Sequence, residues 1–342
     1  ISKTYNKFFV SDLESKFGKF DWQNYFKSQN WQNPSGSIIV NQPDYIKSII
    51  ELINKSEMED IKAYLKWQVI ANTANFINED YAKLCFNFFG KVLSGKQKMA
   101  PLWKRVVWRV ERQRVFDDVI GQEYVKKYFS KSSKQKVEKI ANDIKSAFGD
   151  HISKLSWMNE GTKQVALRKL DKIKILVGYP TNWKRFDNLS FCTDNTLKNC
   201  LDANKAWSDY CISKIGKVTE HDEWNMEAYA VNACSEFNQL IVCFPAGILQ
   251  PPFFDPKASY ASNLGAIGSI VGHELTHSFD DQGVEFDENG NLNRWLSAKE
   301  RKQFDSAVTT IINQANNFEA LPGLYLDGKL IAGEAVADLG GI

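Results

Sequence analysis

The sequence predicts a mainly α protein of two domains with one small β-sheet. Three observations carry that expectation. Apolar residues recur at helical spacing through the first half, a β-branched run breaks the pattern near residue 173, and the length suits two cores. At roughly 150 residues per domain, 342 residues correspond to about 2.3 domains.

Pro43 opens a helix with Tyr45, Ile46, Ile49, Ile50 and Ile53 on one face. Ser56 with Glu59 matches a capping box ahead of Ile61, Tyr64 and Leu65, so a helical hairpin is expected there. Val137, Ile140, Ala141, Ile144, Phe148, Ile152 and Leu155 form one longer stripe, and a further helix runs over 162–170. No alternating strand stands out before Ile173. The run 173–177 then closes at Gly178 and Pro180, which suits a strand and its turn. The boundary is therefore placed near 171, giving a helical domain over 1–170 and a second domain over 171–342. Within the second domain, the Asn-rich stretch 180–217 reads as loops with a short helix or two. Residues 229–237 and 239–244 read as strands, 266–280 as a helix and Asn289-Gly290 as a turn. A helix capped by Ser297 and Glu300 follows, and a last helical segment starts near Gly333.

Composition excludes several classes. With 43% hydrophobic and 25% charged residues the chain is not disordered. Its 43 basic and 41 acidic side chains leave a charge of +2, so no global field favours nucleic acid. A basic run from Lys91 to Arg114, with Trp103 and Trp108 interleaved, reads as a helix with one solvated basic face and an apolar side of Leu102, Val106, Val107 and Val110. No stretch approaches the roughly 18 apolar residues of a membrane span. The chain starts at Ile1 rather than Met, with no basic-then-apolar leader, so a targeting segment or anchor has either been removed or was never included; an extracytoplasmic location is slightly favoured over a cytoplasmic one. Six cysteines without a C-x-x-C pair read as buried thiols or a few local disulfides.

The chemistry concentrates in His273-Glu274-Leu275-Thr276-His277. On a helix, two imidazoles four residues apart project from one face within reach of a single zinc ion, while Glu274 stays beside the metal as a general base. With only four histidines in the chain, roughly 0.002 such matches are expected by chance. A catalytic zinc needs a third protein ligand. His151 lies in a helical pattern and His221 in an acidic loop, which leaves a carboxylate. Glu334 and Asp338 share one helical face, so one can bind metal while the other orients a ligand.

These residues resemble the neprilysin family of zinc endopeptidases, which includes endothelin-converting enzymes and bacterial endopeptidase O. Three blocks carry the resemblance: Val231-Asn232-Ala233 leading into Phe244-Pro245-Ala246-Gly247-Ile248-Leu249-Gln250-Pro251-Pro252-Phe253-Phe254; the run from Gly272 to Gly283; and that from Gly333 to Gly341. Trp103-Lys104-Arg105 and Val177-Gly178-Tyr179-Pro180 fit more loosely. Ala335, Val336 and Ser278 depart from the usual residues, and the missing cysteine at Val106 favours a bacterial-type member.

The resemblance implies a two-domain zincin, with a helical domain facing a thermolysin-like catalytic domain across a cavity that admits oligopeptides. It implies that His273, His277 and Glu334 bind one zinc ion, that Glu274 is the base, and that Asp338 and Asp280 hold His273 and His277. Asn232 and Ala233 would line an edge strand that grips substrate backbone. Ile248, Phe253 and Ile270 would form an apolar pocket for the residue after the scissile bond, so cleavage before large hydrophobic residues is expected. Family members continue past the third block with further catalytic residues, so the isolated 342 residues are expected to be weak or inactive. The competing expectation is a non-catalytic peptide-binding relative. Oligopeptide substrates are the expected partners, with no nucleic acid and no membrane span in this chain, and the sequence sets no oligomeric state.

Overall fold

The computed structural model describes residues 4–218 and 222–342; His221 lies outside them. The chain forms two compact units, Ile1–Phe116 with Arg185–Lys217, and Asp117–Lys184 with Val218–Ile342. The boundary expected near 171 falls inside the second unit. The cause is packing: Val137, Ile140, Ala141, Ala166 and Leu170, from helices Lys131–Lys154 and Glu160–Lys172, share one buried cluster with Val242, Phe244, Ile267, Val271 and Leu275. The polar stretch after Lys184 belongs to the first unit instead.

The first unit has its own small core of Leu13, Phe17, Phe26 and Ile50. Strands Lys7–Phe9 and Ser37–Ile39 pair antiparallel beside it, each too short to display alternation in sequence. Helix Pro43–Lys55 forms as expected, but the capping box after it does not. Ser56 Oγ donates back to Leu52 O at 2.8 Å, and Glu59 pairs with Lys62 at 2.8 Å. In place of short helices within 180–217 there is one 18-residue helix, Thr196–Ser213, whose cap Asn195 accepts from Lys198 N at 2.9 Å. The basic helix Leu102–Glu111 reverses the expected faces. Arg105 pairs with Glu79 at 3.0 Å and Arg109 lies 3.9 Å over the Phe76 ring, while Leu102 and Trp103 are 64% and 67% exposed. Long basic side chains bury their stems and stack on rings, so charge does not force them outward.

In the second unit the central strand Ile241–Pro245 pairs in parallel with Lys174–Gly178 and antiparallel with Cys234–Glu236. Every residue of the central strand is buried, as its unbroken apolar run requires. Helix Ala298–Ala315 starts with the expected capping box, and Glu300 does more than close it. Its carboxylate also accepts from Asn159 N (2.8 Å), Asn159 Nδ2 (2.8 Å) and Thr162 Oγ1 (3.0 Å) at the start of helix Glu160–Lys172. Gly290 turns the chain with φ of +74°, and a Cβ there would meet Asn238 O at 2.3 Å. Asp287 Oδ1 accepts from Asn289 N and Asn291 N, which makes this segment a turn closed by the Asp287 side chain.

Helical chain runs from Tyr260 to His277, with wide π-type turns at Leu264–Gly268 before the helix Ser269–His277. Against it packs helix Ala332–Gly341, close enough that glycine is required on both sides. A Cβ on Gly272 would lie 2.9 Å from Gly341 Cα, and one on Gly341 would lie 2.5 Å from Ser269 O. Among the described residues no helix is long and apolar enough to cross a membrane.

Candidate metal centre

The glycine contact is what brings a distant carboxylate to the histidines. His273 and His277 leave the same face of their helix, ring centroids 4.5 Å apart. Glu334, in the first turn of the neighbouring helix, places Oε2 3.3 Å from His273 Nε2 and 3.7 Å from His277 Nε2. All three ligand atoms lie within 4.8 Å of one another.

The other ring nitrogens are engaged. His273 Nδ1 lies 2.8 Å from Asp338 Oδ1, and His277 Nδ1 lies 2.8 Å from Asp280 Oδ2. A carboxylate accepts, so donation from Nδ1 to Asp338 and Asp280 leaves each Nε2, on the side of Glu334, as the nitrogen that would ligate a metal. This donor set suits zinc. Ligand bonds of about 2.0–2.2 Å in a tetrahedron separate neighbouring ligand atoms by roughly 3.3–3.5 Å, the spacing that Glu334 Oε2 and His273 Nε2 already have.

Asp280 is fixed by its surroundings. Its side chain is 3% exposed, and Oδ1 accepts from Gln282 N at 2.8 Å and Gly283 N at 2.7 Å. Residue 283 must be glycine, because a Cβ would lie 1.9 Å from His277 O. Burial opposes protonation of His277, but the hydrogen bond and charge of Asp280, with Glu274 and Glu334, outweigh it and raise its pKa. Asp338 and Glu334 differ, with side chains 76% and 70% exposed.

Glu274 is 7% exposed beside the histidines. Burial raises its carboxyl pKa, opposed by His277 and His273 and assisted by Glu334. Its carboxyl therefore holds a proton more readily than an exposed glutamate does. His151 is exposed on the helix Lys131–Lys154 and does not join the group.

The expected substrate residues are more dispersed. Asn232 and Ala233 precede the strand Cys234–Glu236 rather than lie in it; Asn232 is exposed and Ala233 packs on the core. A Cβ on Gly247 would meet Ala230 O and Tyr229 O at 2.3 Å, so the chain leading to them is held against Gly247. Ile248 is buried in the core, Ile270 is half-buried against it, and Phe253 is exposed.

Sequence reasoning missed Lys169. It is fully buried, and its ammonium donates to Ser278 O, Gly283 O and Phe286 O at 2.6, 2.7 and 2.7 Å. It thereby ties down the loop that carries Asp280. The signal was absent because a lysine in an amphipathic helix ordinarily reads as solvent-facing.

Two models described as peptidase family M13 match residues 1–180 and 232–342. The chain belongs to peptidase family M13. This M13 chain is 30% identical over 356 residues to Neprilysin-11 of Caenorhabditis elegans, covering 100% of the chain and 42% of that protein. It is 29% identical to the neutral endopeptidase of Lactobacillus helveticus and 30% identical to endothelin-converting enzyme 1 of Rattus norvegicus, covering 99% of the chain and 52% and 45% of theirs. Among solved structures, zinc metalloprotease ZMP1 of Mycobacterium tuberculosis bound to an inhibitor superposes with a TM-score of 0.91 at 32% identity, over 99% of this chain and 52% of that one. PEPO from Lactobacillus rhamnosis gives 0.86 at 27% identity, over 100% and 54%. The chain thus spans about half the length of the relatives it matches. The mainly α M13 architecture with small sheets is the one expected.

Proposed function

We propose that this chain carries the zinc centre of a metalloendopeptidase that hydrolyses internal bonds of oligopeptides. The supporting observation is the convergence of His273 Nε2, His277 Nε2 and Glu334 Oε2, each imidazole held through Nδ1 by a carboxylate. His273, His277 and Glu334 would hold one zinc ion, which when bound supplies Lewis acidity at the scissile carbonyl. Glu274 takes a proton from the attacking water and returns it to the leaving amine. Its burial keeps that proton from exchanging with bulk water during the step.

Substrate preference belongs to the same proposal. Asn232 and Ala233 offer backbone groups to an extended peptide, and Ile248, Phe253 and Ile270 select a large apolar residue after the scissile bond. Of the three, Phe253 has the surface such a contact needs. An extracytoplasmic location is part of the proposal.

The test is zinc stoichiometry of the purified chain beside His277→Ala and Glu334→Ala, followed by cleavage of internally quenched peptides. Near-equimolar zinc in the parent chain, lost in both variants, with scission before Phe or Leu, is expected. Zinc content unchanged by both substitutions would overturn the assignment of the centre. Zinc-loaded chain that binds peptide but never cleaves it, alone or within a longer polypeptide, would favour the non-catalytic reading.

A further inference from the structure

The three-stranded sheet sets two thiols face to face. In the antiparallel pairing of Cys234–Glu236 with Ile241–Pro245, Cys234 is the direct register partner of Cys243. Directly opposed residues of such a pair have Cα atoms about 4.5 or 5.5 Å apart, and disulfides accommodate Cα separations of about 4.4–6.8 Å. Both Cα spacings fall within the range that disulfides span. Both side chains lie on one face, packed with Leu176, Trp224 and Ile241, and both sulfurs are free thiols.

The two thiols differ in access. Cys243 is 2% exposed, whereas Cys234 is half-buried. Burial, with a hydrogen bond to Cys234, raises the Cys243 thiol well above its ordinary range, so Cys234 is the sulfur that meets an oxidant first. The other four cysteines, Cys85, Cys192, Cys200 and Cys211, belong to the other unit.

We propose that Cys234 and Cys243 are an oxidisable dithiol that closes to a disulfide across the sheet edge when the folded chain meets a small-molecule disulfide. The Cys234 thiolate attacks one sulfur of the oxidant, whose S–S bond breaks and releases one thiolate that takes up a proton. Cys243 then loses its proton to solvent, and its sulfur attacks Cys234 in the mixed disulfide, expelling the second thiolate, which is protonated in turn. Two protein thiols are oxidised to one disulfide, and one small disulfide is reduced to two thiols. The pair's chemistry does not depend on whether the chain hydrolyses peptides. Its consequence for the site is mechanical, because the strand that continues from Asn232 and Ala233 becomes covalently pinned to the central strand of the sheet.

The native chain is incubated with oxidised glutathione, alkylated with iodoacetamide while unfolding, and cleaved after Glu236, which separates the two cysteines. The expected product in most molecules is a pair of peptides joined through Cys234 and Cys243, with two fewer alkylated thiols of the six. Cys243→Ala should instead trap glutathione on Cys234, and Cys234→Ser should leave Cys243 unmodified. Glutathione retained on Cys234 of the parent chain with Cys243 alkylated would overturn the proposal. So would both thiols remaining free while exposed Cys211 is glutathionylated.

Discussion

Burial acts on Glu274 and Lys169 in opposite directions on the pKa scale for the same reason, the cost of holding charge away from water. It raises the carboxyl of Glu274 above its ordinary 4.5 and lowers Lys169 from 10.5 to about 7, against the pull of Asp280 and Asp287. For Glu274, activity should fall as the medium is acidified through that raised value. Glu274→Gln should retain zinc while peptide cleavage drops by about 10²–10⁴, measured as kcat/KM with metal analysis alongside. For Lys169, the unfolded chain binds a proton that the folded chain lacks between about pH 7 and 10.5, so its contribution to stability rises with pH across that window. Below about pH 7 both states are protonated and the contribution is flat. Urea unfolding of the parent and Lys169→Met chains should show a stability difference that grows from pH 7 to 10. Loss of three carbonyl partners makes the variant weaker throughout. A constant difference over that range would count against the shift.

At the scale of elements, two glycine-bearing helices decide where Glu334 sits. Gly341→Val should cost about 1–3 kcal/mol in thermal unfolding, because the added Cβ would lie 2.5 Å from Ser269 O. It should also weaken zinc binding, read by chelator competition, since the shifted helix carries both Glu334 and Asp338. The helix bearing His273 and His277 was legible in sequence because spacing alone puts both on one face. Its contact with Ala332–Gly341 was not, since Gly272 and Gly341 advertise neither a period nor a charge. Helix Thr196–Ser213 escaped notice for a related reason: only Cys200 and Ala203 of it are buried, so its pattern is mostly polar. The reverse happened at Ser56, where a sequence that fits a capping box spends its hydroxyl on the preceding helix.

For the molecule as a whole, the neat cancellation of 43 basic and 41 acidic residues conceals an uneven surface. In the first unit Leu102, Trp103, Val106, Val107 and Trp108 are all at least 45% exposed on one helix. The isolated chain should therefore bind an environment-sensitive apolar dye, and the Trp103→Ser, Trp108→Ser double variant should bind measurably less. Unchanged fluorescence would place the dye elsewhere. Family and catalytic motif were legible because they reside in short contiguous blocks. The division into units was not, because the core of the second unit is assembled from segments on both sides of 185–217. The shared carboxylate of Glu300 has a consequence at this scale. It seals the starts of two helices more than 130 residues apart, so neither end can fray without orphaning donors on the other. Glu160–Lys172 and Ala298–Ala315 are thereby bound to a common fate on melting, and the segments on either side of 185–217 unravel as one cooperative body.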